Sequence, residues 1–98
     1  MKFSLNFTLK AKESLKNLKE SPPLQKRFKA VKKSLEFLQS NPRHKSLETH
    51  QYYSLKGPKG EKVFEAYAEQ NTPAAYRIFF YYGPSKGEIT IFAIIPHS

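Results

Sequence analysis

The 98-residue sequence has no cysteine, which excludes disulfides and thiolate sites for metal or redox chemistry and is compatible with a reducing compartment. It has no apolar run long enough to cross a bilayer. Its opening stretch, MKFSLNFTLKAKESL, alternates polar and apolar residues where a signal segment would be continuously apolar. A soluble cytoplasmic protein is the expectation. Acidic residues are also scarce, 8 against 17 Lys and Arg, giving a formal net charge of +9. Repeats and low-complexity tracts are missing. With 39% hydrophobic and 14% aromatic residues the chain can build one modest core, so residues 1–98 read as a single domain.

The positive charge is lopsided. Residues 1–62 hold 15 Lys and Arg against 5 acids, whereas residues 63–98 hold 2 against 3. A field of this kind attracts polyanions, either nucleic acid or an acidic protein segment, although a lysine-rich helix face is also the ordinary solvated surface of a small domain.

Phe3, Leu5, Phe7 and Leu9 alternate with polar residues, the period of a strand with one buried face, and predict a strand over Phe3–Leu9. Ala11, Leu15 and Leu18 switch to helical spacing and predict a short helix over Ala11–Glu20. Ser21 followed by Pro22 and Pro23 suits a helix opening, because a hydroxyl can cap the first amides and proline fits the first turn. Leu24, Phe28, Val31, Leu35 and Leu38 then form one apolar stripe as far as about Gln39, with Lys26, Lys29 and Lys33 off it. Residues 41–62 carry no clear period. A connection this long in a small domain has a function or hides a short strand. Its Arg43, His44, Lys45 and His50, with Tyr52 and Tyr53, are of the kind that contact RNA phosphates and bases, or else they pack a surface loop. Two histidines without acidic or thiol companions do not make a metal site, and no metal or cofactor is expected.

Strand periodicity returns at Val63–Glu69, where Glu65, Tyr67 and Glu69 lie opposite Phe64, Ala66 and Ala68. A turn on Asn71, Thr72 and Pro73 leads into Tyr76–Tyr82, and GPSKG joins that run to Glu88–Ile95 as a hairpin. The fold class is therefore α+β in the order β-α-α-β-β-β, with two N-terminal helices packed on one face of a small, mainly antiparallel sheet and the first strand at an edge. Arg77 interrupts an apolar strand, which calls for a partner or a task. The partner would be Glu65 or Glu69. The task would be holding a phosphate, which its fixed fork of donors suits.

Three stretches, SLKG at 54–57, AYRIFFYY at 75–82 and EITIFAIIPHS at 88–98, follow two helices in this order and resemble the RelE/ParE superfamily of bacterial toxins. The resemblance spans nearly the whole chain. It implies one of two activities, since RelE-like members cleave messenger RNA, usually on the ribosome, whereas ParE-like members bind and poison DNA gyrase. In the RNA-cleaving branch a strand arginine contacts the scissile phosphate, and Arg77 matches it. In a YoeB-like subset a histidine and a tyrosine end the chain; His97 falls at the histidine, and Ser98 stands in place of the tyrosine. The second-strand lysines of RelE fall near Glu65 and Tyr67, and YoeB-like sites use a glutamate as a base.

The candidate residues are then Arg77, His97 and Glu65 for catalysis and Tyr67, Tyr81, Arg43 and Lys45 for RNA binding. Lys26, Lys29 and Lys33 are the candidates for an antitoxin or other polyanion. Glu65 would accept the 2′-hydroxyl proton, Arg77 would hold the phosphate, and His97 would protonate the leaving oxygen, since a histidine exchanges protons near neutrality. The implied partners are an acidic cognate antitoxin, messenger RNA and the ribosome. A gyrase-binding toxin and a basic RNA-binding relative that does not cut are the other readings.

Overall fold

The computed structural model describes residues 2–70 and 75–97; the expected turn on Asn71, Thr72 and Pro73, and Ser98, lie outside the described residues. The first strand, β1, is Ser4–Phe7, shorter than its sequence period suggests. Thr8 is the reason. Its hydroxyl accepts the Ala11 amide at 3.1 Å and donates to the Phe92 carbonyl at 3.1 Å, so it caps a helix and pins it to the sheet in one residue. Leu9, expected to close the strand, opens helix α1 (Leu9–Glu20) instead and is 73% exposed.

Ser21 likewise departs from its expected role. It ends α1, and its hydroxyl caps nothing. A single 3₁₀ turn, Pro22–Leu24, intervenes before helix α2, Gln25–Ser40. Among the described residues no side chain caps the start of α2, and Gln25 closes the C-terminal end of α1 instead. Its side-chain amide donates to the carbonyls of Leu18, Lys19 and Ser21 at 3.3, 2.9 and 2.9 Å, satisfying groups that a helix end leaves open.

Five strands follow the order β1-β5-β4-β3-β2, with β2 His50–Lys56, β3 Lys62–Tyr67, β4 Tyr76–Tyr82 and β5 Glu88–Pro96. β1 runs parallel to β5 at one edge and the remaining pairs are antiparallel. The α+β architecture is as expected, with one strand added. That strand, β2, was hidden in residues 41–62 because its pairing is regular only at its ends. His50 faces Glu65, Gln51 faces Phe64, Lys56 faces Lys62, and an irregularity between them destroys the period-two signal. Gly60, at φ 82°, supplies the left-handed residue in the turn to β3.

The helices cover one sheet face. Ala11, Leu18, Val31, Leu35 and Leu38 meet Ala66, Ile78, Phe80, Ile89, Ile91 and Ile94 in the main core. Leu24 and Phe28, at the start of the α2 stripe, are only partly buried. The outer face is less polar than its strand-two pattern suggests. Val63, Phe79 and Ala93 are buried there beneath Tyr52, Phe92 and Ile95, forming a low-dielectric floor beside the charged residues of the same face.

Candidate nucleic-acid interface

Strand register builds the site. Tyr67 on β3 lies directly opposite Arg77 on β4, and Glu65 lies opposite Phe79, so Glu65 and Arg77 are diagonal neighbours on the outer face. Nη1 of Arg77 donates to Oε2 of Glu65 at 2.6 Å. On the other side, His50 is the β2 partner of Glu65, and its Nε2 stands 2.7 Å from Oε1. Both oxygens of a carboxyl group only 3% exposed are therefore held by basic side chains. Neither basic side chain is buried to the same degree: the side chains are 17% exposed for Arg77 and 48% for His50.

Tyr67 completes the cluster. Its hydroxyl hydrogen-bonds Glu65, and its ring lies 5.7 Å from that of His50. Burial pushes the Tyr67 hydroxyl above the usual phenol range, the Glu65 charge and hydrogen bond add to this, and the Arg77 charge opposes it. At neutral pH Tyr67 is thus a proton-bearing donor. The Arg77 guanidinium rests on the Phe79 ring at 5.2 Å, which holds its plane while leaving its edge donors for an acceptor. Its Nε is buried and has no hydrogen-bond partner among the described residues. A buried donor without an acceptor is costly, and such groups concentrate where a ligand completes the bonding.

His97 stands at the same end of the sheet. Its backbone N–H donates to the Ala75 carbonyl at 2.7 Å, one step beyond the Tyr76–Pro96 pair, which sets it on the Arg77 face at an exposed position. Lys45, exposed on the 3₁₀ turn Lys45–Leu47, borders a shallow depression with Ser46, Glu48, Ala68, Glu69 and Gln70 at that end.

Two candidates are not brought into the cluster. Tyr81 lies four residues along β4 from Arg77 and is buried beside Phe92, 8% exposed as a residue, so no base can stack on it. Its role is packing. Arg43 is exposed, and its charge is felt by Tyr82, whose hydroxyl burial pushes up and Arg43 pulls down; Tyr82 belongs to the helix-facing side at the opposite end of β4. Glu69, the other expected partner for Arg77, pairs instead with Arg27 of α2 at 3.0 Å.

His50 is the residue that sequence reasoning missed in this role. The available signal was the alternation of His50 and Tyr52 on one face, which becomes meaningful only once β2 is recognised as a strand beside Glu65.

The helix layer carries a second surface. Lys26, Lys29 and Lys33 are exposed along α2, with Lys33 Nζ 5.8 Å above the Phe37 ring. A separate groove between the helices is floored by Phe7, Leu15, Phe28 and Leu35 and edged by Lys12, Lys16, Lys19 and Lys32. Among the described residues no group of three or more His, Asp and Glu side chains is placed to hold a metal ion, and no helix is long and apolar enough to cross a membrane.

No family model matches the chain, and no curated protein matches it in sequence. Solved structures do match. The YoeB/ParE toxin from Agrobacterium tumefaciens superposes with a TM-score of 0.69 at 12% identity over 100% of both chains. A chain of the archaeal RelE–RelB complex from Pyrococcus horikoshii OT3 gives 0.65 at 15% identity over 98% of this chain and 96% of that one. A chain of the YoeB dimer from Staphylococcus aureus gives 0.63 at 15% identity over 100% of both. The chain has the RelE/ParE toxin fold.

Proposed function

We propose that this protein is the toxin of a type II toxin–antitoxin pair, and that it acts as a metal-independent, ribosome-associated messenger RNA endoribonuclease. The observation that carries the reading is the buried Glu65 carboxylate held between Arg77 and His50 on the sheet face that the helices leave open. Ionised groups are rarely placed so deep in a small domain without a task, and clusters of this kind concentrate at sites of chemistry.

Cleavage through the 2′-hydroxyl needs a proton acceptor, charge stabilisation on the phosphorus and a proton donor for the departing 5′-oxygen. Arg77 turns its donors from Glu65 to the phosphate oxygens and holds the charge that develops in the pentacoordinate transition state. That movement frees Oε2 of Glu65 to accept the 2′-hydroxyl proton, which generates the attacking oxygen. His97 returns a proton to the 5′-oxygen as the P–O bond breaks, leaving a 2′,3′-cyclic phosphate and a 5′-hydroxyl. Tyr67 donates to the phosphate or stacks on a base beside it, and Lys45 extends the basic rim.

The neutralising partner is an acidic antitoxin segment. An amphipathic segment suits the groove of Phe7, Leu15, Phe28 and Leu35, with its acids toward Lys12, Lys16, Lys19 and Lys32; Lys26, Lys29 and Lys33 add a longer-range field.

The test is induced expression of wild type, Arg77→Lys and Arg77→Ala, scored for growth arrest and for RNA ends by primer extension. Wild type should arrest growth and cut RNA, lysine should retain part of the activity because it keeps the charge but not the fork, and alanine should be inactive. Growth arrest by the alanine variant with no RNA cut, and inhibition of gyrase supercoiling by the purified protein, would move the assignment to a gyrase-binding toxin.

A further inference from the structure

Nδ1 of His50 lies 3.0 Å from the Glu48 carbonyl oxygen, while Nε2 lies 2.7 Å from Glu65 Oε1. A carbonyl oxygen only accepts, and a carboxylate that also receives Arg77 accepts as well. Both ring nitrogens therefore face acceptors, an arrangement satisfied when each carries a proton. In that form the cluster contains two cations on one buried carboxylate and is positive by one charge. With a neutral imidazole, Arg77 and Glu65 cancel.

We propose that His50 is a positioning residue whose protonation admits the RNA phosphate to Arg77, because it is the second cation on Glu65 and keeps that carboxylate compensated when Arg77 turns away. The inference rests on the nuclease reading for the identity of the anion. A neutral His50 leaves Arg77 as the only cation on a carboxylate 3% exposed, so taking the guanidinium to a phosphate strands a buried charge. A protonated His50 lowers that penalty, and the net positive charge of the cluster matches the single negative charge of a phosphodiester. The groups facing His50 are Glu48 from the preceding turn, Glu65 and Tyr67 from β3 and, across Glu65, Arg77 from β4. His50 is nearly half exposed and its partner carboxylate is not, so solvent reaches the imidazole side of the pair.

The experiment is fluorescence anisotropy with a short 2′-O-methyl RNA oligonucleotide, which lacks the attacking hydroxyl and so reports binding alone. Wild type should lose roughly tenfold or more in affinity between about pH 5.5 and pH 8, the range in which a histidine changes charge. His50→Gln, which keeps a donor to Glu65 without a charge, should bind weakly and lose most of this pH dependence. His50→Lys should bind tightly at both ends of the range. The comparison cancels His44 and His97, which are present in all three proteins. An unchanged pH dependence in His50→Gln, or weak binding by His50→Lys with circular dichroism matching wild type, overturns the proposal. If the pH dependence follows His50 but wild type cuts no RNA, the nuclease reading fails and the positioning role stands. Cleavage by wild type with affinity indifferent to His50 gives the reverse, and no binding by wild type at any pH overturns both.

Discussion

Replacing Arg77 with alanine removes one of two cations from a carboxylate that is 3% exposed. Breaking a buried ion pair from one side costs about 3–5 kcal/mol, and the low end, about 3 kcal/mol, applies because His50 stays on the other oxygen. For a domain of this size that is a fall in melting temperature of roughly 12–24 °C, at ~4–8 °C per kcal/mol. Loss of cleavage in this variant would thus mix chemistry with stability. The double variant Arg77→Ala/Glu65→Gln isolates the stability part, because glutamine removes the stranded charge. Its loss should be smaller than the sum of the single losses, with a coupling of about 2 kcal/mol between the sites. RNA cleavage should nevertheless remain ~100-fold or more below wild type in the double variant, since the phosphate-holding donor and the Glu65 proton acceptor are both missing. Urea unfolding of the four proteins and a cleavage assay on each, below its transition, measure both quantities. Additive losses, or an Arg77→Ala loss under about 0.5 kcal/mol, would refute the reasoning, as would recovery of cleavage along with stability.

Leu38→Ala should cost about 2–5 kcal/mol in denaturant unfolding, because the side chain is fully buried between α2 and the sheet. Thr8→Ala should cost ~1–2 kcal/mol, since it loses both the α1 cap and the bond to Phe92 in chemical denaturation. Reversing the charges of Lys16 and Lys32, at the edge of the interhelical groove, should weaken an acidic antitoxin peptide more than reversing Lys29 and Lys33, as calorimetry at low salt would read. Tyr67 has a raised folded-state pKa, so its contribution to stability is present below the unfolded phenol value of about 10 and is lost as pH rises through the folded value. Tyr67→Phe should therefore show a shallower alkaline fall in melting temperature than wild type.

Much of the fold was legible because local chemistry and tertiary packing agree. The stripe from Leu24 to Leu38 has helical spacing wherever it packs, and β4 and β5 carry the aromatic and β-branched residues that a buried sheet centre requires. Boundaries failed where one side chain serves two elements. Thr8 ends β1 because it caps α1 and bonds Phe92, far away in sequence, and Gln25, at the start of α2, closes α1 across the 3₁₀ turn, which periodicity does not register.

Residue order by itself determined the helix stripe, the parity that sets Glu65, Tyr67 and Arg77 on one side of their strands, and the separation of a basic helical half from a nearly neutral sheet half. Periodicity is a local property of the backbone, so these needed no third dimension. Only the tertiary structure decided which partner Arg77 has. Glu65 and Glu69 share a strand face by parity, but Glu69 lies past the end of β3, where α2 brings Arg27 to it, whereas Glu65 stays in register beside Arg77. Pairing across the sheet also delivered His50 to the carboxylate and left Tyr81 buried, since contacts between strands depend on register and on how closely other elements cover each end.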